Sequence, residues 1–90
     1  MSNSQKYIKE LAEAIISVKD IGLAEAFLHN ILTPGELEEI SKRLQIVKLL
    51  LDGVPQREVA KKLGVSMGTV SRGSRELKYG DNGFKRILNK

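Results

Sequence analysis

The chain predicts an all-α fold of six helices containing a helix-turn-helix, on three observations. Apolar residues recur at gaps of three and four along most of the 90 residues, the period of a helix rather than the alternation of a strand. Cap and stop residues (Thr33-Pro34, Gly53, Gly64, Ser66) divide that pattern into short segments. Ala60, Gly64 and Val70 have the spacing of two helices crossing at a tight turn: Ala60 is small enough for close crossing, Gly64 can take a positive φ, and Val70 can plug the gap.

Each element follows in order. From Ser4 to about Lys19, Ile8, Leu11, Ile15 and Val18 form one apolar stripe, which Asp20 and Gly22 break. Leu23 to Leu32 carries apolar residues over a wide arc, Leu23, Phe27 and Ile31 beside Ala24, Leu28 and Leu32, and so predicts a helix buried on two sides, as at an interface. Thr33-Pro34-Gly35-Glu36 reads as a capping box with proline at the first helical position. Leu37, Ile40, Leu44, Val47 and Leu51 continue from it as the core helix, widened by Ile46, Leu49 and Leu50 and ended by Gly53. Pro55 opens a helix over Gln56 to Leu63, and Ser66 caps one over Met67 to Lys78, read as the recognition helix. Tyr79-Gly80-Asp81 closes it before a short last helix bearing Phe84, Ile87 and Leu88. The whole reads as one domain over 1–90: core and dimerisation helices over 1–53, the helix-turn-helix over 54–79 and the last helix over 80–90.

Composition narrows the function. No cysteine and one histidine argue against disulfides and cysteine-ligated zinc, and His29 reads as an interface or surface residue. No metal-ligand cluster, no nucleophile beside a base and no phosphate-cradling glycine loop can be found, so neither catalysis nor a cofactor is expected. The polar start MSNSQKYIKE and the lack of any span-length apolar run point to the cytoplasm and not to a membrane. A helical chain this short is marginal alone, and a dimer would stabilise it. Charge is divided: residues 1–53 hold six Lys/Arg against eight Asp/Glu, whereas residues 54–90 hold nine against three. The positive half contains the helix-turn-helix, where a surface for a polyanion would lie.

Double-stranded DNA is therefore the expected partner. Met67, Gly68 and Thr69, on a first turn after Ser66 whose Gly68, Thr69 and Ser71 are small and polar, are candidates for base-edge contact, direct or through water, with an adaptable core residue as the alternative for Met67. Arg57 has the fork that suits a guanine edge, with a solvated charge beside Glu58 as the structural alternative. Gln56, Ser71, Ser74 and Lys78 suit phosphates, and Lys61 and Lys62 add charge. Ser66 and Arg72 complete the DNA-facing set.

The runs LTPGE (Leu32 to Glu36), KRLQIVKLLLDG (Lys42 to Gly53), QRE (Gln56 to Glu58) and TVSRGSRELK (Thr69 to Lys78) resemble the Trp repressor family over roughly the last two-thirds of the chain. The resemblance implies an intertwined homodimer, with the first helices of one subunit threading through the other, a palindromic operator and L-tryptophan as corepressor. It also implies a ligand site in which Arg43 and Arg72 flank the tryptophan, Arg72 pairs with its carboxylate, Thr33 reaches in from the partner subunit, and Val47 and Gly73 line the indole slot. The residue types suit those roles, since a guanidinium fork matches a carboxylate and a glycine leaves room for a ring. Taken without the resemblance, Arg43 reads more simply as a partner for Glu39 one turn earlier.

Three departures from the family pattern bear on function. One residue fewer separates the core helix from Gln56, Glu76 stands where a small residue would face the ligand's amino group, and the N-terminal arm is short. The shorter connection and the segment LKYGDNGFKRIL resemble a Trp-repressor-related branch of small bacterial regulators, for which DNA binding carries over further than tryptophan sensing. The alternatives are a DNA-binding regulator that senses another ligand or none, and an interaction module acting through Leu23 to Leu32.

Overall fold

A computed structural model describes residues 2–88, and among them six α-helices and no strand are found: α1 (Asn3–Ile16), α2 (Ile21–Ile31), α3 (Pro34–Leu51), α4 (Gln56–Leu63), α5 (Met67–Tyr79) and α6 (Gly83–Leu88). They fall into two compact units, Met1–Leu37 and Glu38–Lys90. No helix among the described residues is long and apolar enough to cross a membrane.

In the first unit the helix ends are set by side chains that compete for backbone groups. Ser2 accepts from the Gln5 N–H at 3.2 Å while Gln5 accepts from the Ser2 N–H at 2.9 Å, a capping box the apolar pattern does not reveal. At the other end the Ser17 hydroxyl donates to the Ala14 carbonyl at 2.7 Å, which stops α1 short of Lys19. Asp20, read as a breaker, is a cap: its carboxylate accepts from the Leu23 N–H at 2.8 Å, so α2 starts two residues before Leu23.

The expectation that α2 is buried on two sides is not met within the chain. Leu23 is 53 % exposed and Ile31 49 %, while Ala24 and Phe27 are half-buried. A wide apolar arc needs a covering helix on each side, and in this unit, besides α1, only the first turn of α3 is present.

The box at the start of α3 is as expected. Thr33 accepts from the Glu36 N–H at 3.2 Å and donates its own N–H to Glu36 Oε1 at 2.8 Å. Donation first from the Thr33 backbone and then from its hydroxyl holds the Glu36 carboxyl below its ordinary range. Its folded value being depressed, the charged cap contributes above the unfolded value and is lost as pH falls through the folded one.

The second unit holds the core. Ile46 from α3, Val59 and Ala60 from α4 and Val70 from α5 are buried together, with Leu49, Leu50, Val54, Leu63 and Val65 packed around them. The predicted α3 stripe is covered unevenly: Val47 is buried and Leu37 and Leu51 are half-buried, whereas Ile40 and Leu44 remain about two-fifths exposed. Two glycines with left-handed φ allow the turns, Gly53 (87°) and Gly64 (65°). After each, the next residue bonds back five positions, Val54 to Leu49 and Val65 to Ala60, both at 3.0 Å, and turns its side chain into the core.

Candidate nucleic-acid interface

Helices α4 and α5 pack through a small set of residues whose sizes set their crossing. Ala60 is 7 % exposed, and Val59 and Val70 have no exposed surface. The roles expected for Ala60, Gly64 and Val70 are those observed. Ser66 caps α5, accepting from the Thr69 N–H at 3.1 Å, and its hydroxyl lies 2.8 Å from that of Thr69. Ser66 and the Thr69 hydroxyl therefore hold each other and fix the start of the helix.

Burial divides α5 cleanly. Val70 and Gly73 are buried, Ser71, Ser74 and Leu77 are half-buried, and Met67, Gly68, Thr69, Arg72 and Lys78 are exposed. At about 100° per residue, Gly68, Arg72, Arg75 and Tyr79 fall along one ridge opposite the buried line Val70, Gly73, Leu77. Arg75 and Tyr79 were missed in the sequence reading, although their positions, three and seven residues after Arg72, were the signal. Tyr79 is 82 % exposed.

A cap leaves the first N–H groups of α5 near the exposed Gly68, where a side chain would meet only Ser66 Oγ at 3.8 Å. Glycine there is not required by packing. Arg57, Lys61, Lys62, Arg72, Arg75 and Lys78 are exposed, and among the described residues none takes part in an ion pair. The helix pair accordingly carries six exposed cations against two exposed carboxylates, Glu58 and Glu76, beside a small, open helix start. Gln56 and Ser71, expected at phosphates, are instead bonded to each other, Ser71 Oγ to Gln56 Oε1 at 3.1 Å across the two helices.

The residues that the resemblance implied for a ligand are placed as follows. Thr33, in the first unit, uses its hydroxyl in the α3 cap. Arg43 lies 3.4 Å from Glu39, the simpler arrangement noted above, and about half of its side chain is exposed. Val47 is fully buried and Arg72 is exposed. Glu76 lies over Gly80, with its carboxylate in the space a side chain there would occupy. A Cβ on Gly73 would sit 3.0 Å from Ile46 Cγ2 and 3.9 Å from Leu50 Cδ1, so the close approach that this glycine permits is that of α3.

Gly73→Ala should therefore destabilise the protein by about 1 kcal/mol. The cost of overpacking, about 1–3 kcal/mol, outweighs a helix-propensity gain of about 0.5–1 kcal/mol, because Ile46 is 2 % exposed and cannot move aside. Gly35→Ala, with open space around it, should be neutral or stabilising. Urea unfolding at one fixed protein concentration compares the two; equal gains would mean that Ile46 yields.

Known proteins share this arrangement. The chain aligns with a Trp operon repressor homolog of Actinobacillus succinogenes at 47 % identity over 64 residues, 70 % of this chain and 63 % of that relative's length. It is 27 % identical over 85 residues to the uncharacterized protein YerC of Bacillus subtilis, covering 94 % of this chain and 82 % of that one. A solved TrpR-like protein from Eubacterium eligens superposes with a TM-score of 0.87 at 32 % identity, over 93 % of this chain and 87 % of that one. The model of the Trp repressor protein family matches residues 6–90. With the capped, glycine-turned helix pair and the order of its flanking helices already in place, the chain belongs to the Trp repressor family, a family of transcription regulators rather than enzymes.

Proposed function

We propose that the protein is a sequence-specific transcriptional repressor that binds a palindromic double-stranded operator as a homodimer in the cytoplasm. The observation that carries this is the exposed start of α5: Met67, Gly68 and Thr69 follow the Ser66 cap, on a helix pair whose exposed cations Arg57, Lys61, Lys62, Arg72, Arg75 and Lys78 have no ion-pair partner among the described residues. Small residues let the helix approach base edges, Arg57 can donate two bonds to a guanine, and Arg72, Arg75, Lys61 and Lys78 meet the phosphates. Ser74, half-buried beside them, donates from its hydroxyl.

The homodimer is supported by the first unit. Ile8, Leu11, Ile15, Leu23 and Ile31 are all between two-fifths and two-thirds exposed, and apolar side chains left open at helical spacing are what an interface would cover. A second copy covers that surface and sets two α5 helices at one turn of DNA, about 34–36 Å apart.

An amino-acid corepressor, L-tryptophan first, is the finer part of the proposal. The exposed Arg72 guanidinium suits its carboxylate, with Arg43 beside the ring once released from Glu39. The full burial of Val47 and the packing of Gly73 against Ile46 favour a second reading, in which the same DNA-binding head works with another ligand or none.

One experiment tests both levels: operator selection from random duplexes, then binding at two salt concentrations across a tryptophan titration. A steep loss of affinity with salt is expected, because phosphate contacts release counterions. A flat salt response would reject the DNA-binding reading. Affinity indifferent to tryptophan would remove only the corepressor, since a ligand shifts an equilibrium no further than its differential affinity allows.

A further inference from the structure

The hydrogen bond between Ser71 and Gln56 is unlike the other side-chain pairs. Arg43 with Glu39 and Ser66 with Thr69 join neighbours on one turn, whereas Ser71 and Gln56 are 15 residues apart and join α5 to α4. Both are half-buried at the helix-turn-helix junction, where competition from water is reduced.

We propose that Ser71 is a positioning residue that acts on DNA through Gln56. Its hydroxyl pins the Gln56 amide across the junction, so that the pair offers one phosphate-binding group and not two. This rests on the DNA-binding reading above.

The chemistry of the two groups supports it. A serine hydroxyl has a single proton, and here that proton is given to Gln56 Oε1 at 3.1 Å. Phosphate oxygens only accept, so while the bond stands Ser71 has no proton for a phosphate. Gln56, holding the bond through its carbonyl, keeps both N–H donors of its amide and loses the freedom to turn them away. Its location on the first turn of α4 puts that fixed amide next in sequence to the exposed Arg57, a cation the DNA-binding reading sets against the duplex. A long side chain ordered before DNA arrives leaves less entropy to be lost on binding. The bond also ties the crossing of α4 and α5 to the same atoms that meet the phosphate.

A double-mutant cycle in DNA binding tests this, using wild type, Ser71→Ala, Gln56→Ala, the double variant and Ser71→Thr on the selected duplex at fixed salt. Loss of one hydrogen-bonding partner should weaken binding on the order of three- to tenfold. If Ser71 acts through Gln56, the double variant binds no more weakly than Gln56→Ala alone, and Ser71→Thr, which keeps the hydroxyl, retains wild-type affinity. Two losses that multiply, or a Ser71→Ala variant with undiminished affinity, would overturn the proposal. The same proteins unfolded in urea read the pin without DNA: the two alanine changes should be non-additive there too, and additivity would overturn it. Failure of the wild type to bind any duplex would instead be failure of the DNA-binding reading, and is thereby told apart.

Discussion

Gly68→Glu should abolish DNA binding while leaving the protein folded, with affinity for its duplex falling by at least about 100-fold. The site is open, with Ser66 Oγ at 3.8 Å the sole group within 4 Å of a Cβ built there, and the backbone is helical, so a side chain fits without strain. Local physics even favours the change. A glycine inside a helix gives up about 0.5–1 kcal/mol relative to alanine, less in the first turn, where an acidic side chain gains about 0.3–1 kcal/mol from the helix dipole. The thermal midpoint should therefore hold or rise.

Binding responds in the opposite direction, because the new carboxylate faces a polyanion at the point of closest approach. Juxtaposed like charges cost several kcal/mol, and each 1.4 kcal/mol is about tenfold. Gly68→Ala separates charge from bulk: a loss as large as that of glutamate would assign the effect to size. Far-UV circular dichroism together with duplex titration makes the comparison. A Gly68→Glu protein that binds as wild type would place the reading surface elsewhere.

Val70→Asp should prevent the second unit from folding. Val70 has no exposed surface and packs with Ile46, Val59 and Ala60, all apolar, so an aspartate there has no hydrogen-bonding or charged partner. Burying an unpaired charge costs several kcal/mol, comparable to the whole stability of a small domain, about 5 kcal/mol at the low end. Val70→Ala is the graded version and should cost about 2 kcal/mol through lost burial and the space left behind. Val59→Ala, equally buried, should behave alike. Chemical unfolding followed by circular dichroism measures all three, and a Val70→Asp protein with wild-type helicity and a cooperative transition would contradict the core described above.

Much of the fold was legible because its signals are local. The Thr33–Glu36 box needs four consecutive residues, and the structure contains both of its hydrogen bonds. Gly64 with a positive φ, Ser66 at the cap and Val70 in the gap follow from sterics and spacing over a dozen residues. The caps at Asp20 and Ser2 are equally local but do not show in the apolar period, which marks a helix face and not its end. The candidate site was legible in its first turn and less so beyond it: Arg75 and Tyr79 became part of the exposed ridge only when the buried line of α5 showed which way the helix faces.

What the chain's order of residues decides is therefore the set of helices, their ends, the positive second half and the helix-turn-helix, all governed by interactions within a few turns. Tertiary structure decides which of those residues meet. Gly73 could serve a ligand or a neighbouring helix, and Ile46 Cγ2, 3.0 Å from where a Cβ on Gly73 would lie, shows that α3 packs closely there. Gln56 and Ser71 look like separate polar side chains until α4 and α5 cross and bring them to 3.1 Å. The apolar arc of α2 announces burial without naming its cover, because periodicity specifies a face and only packing specifies what lies against it.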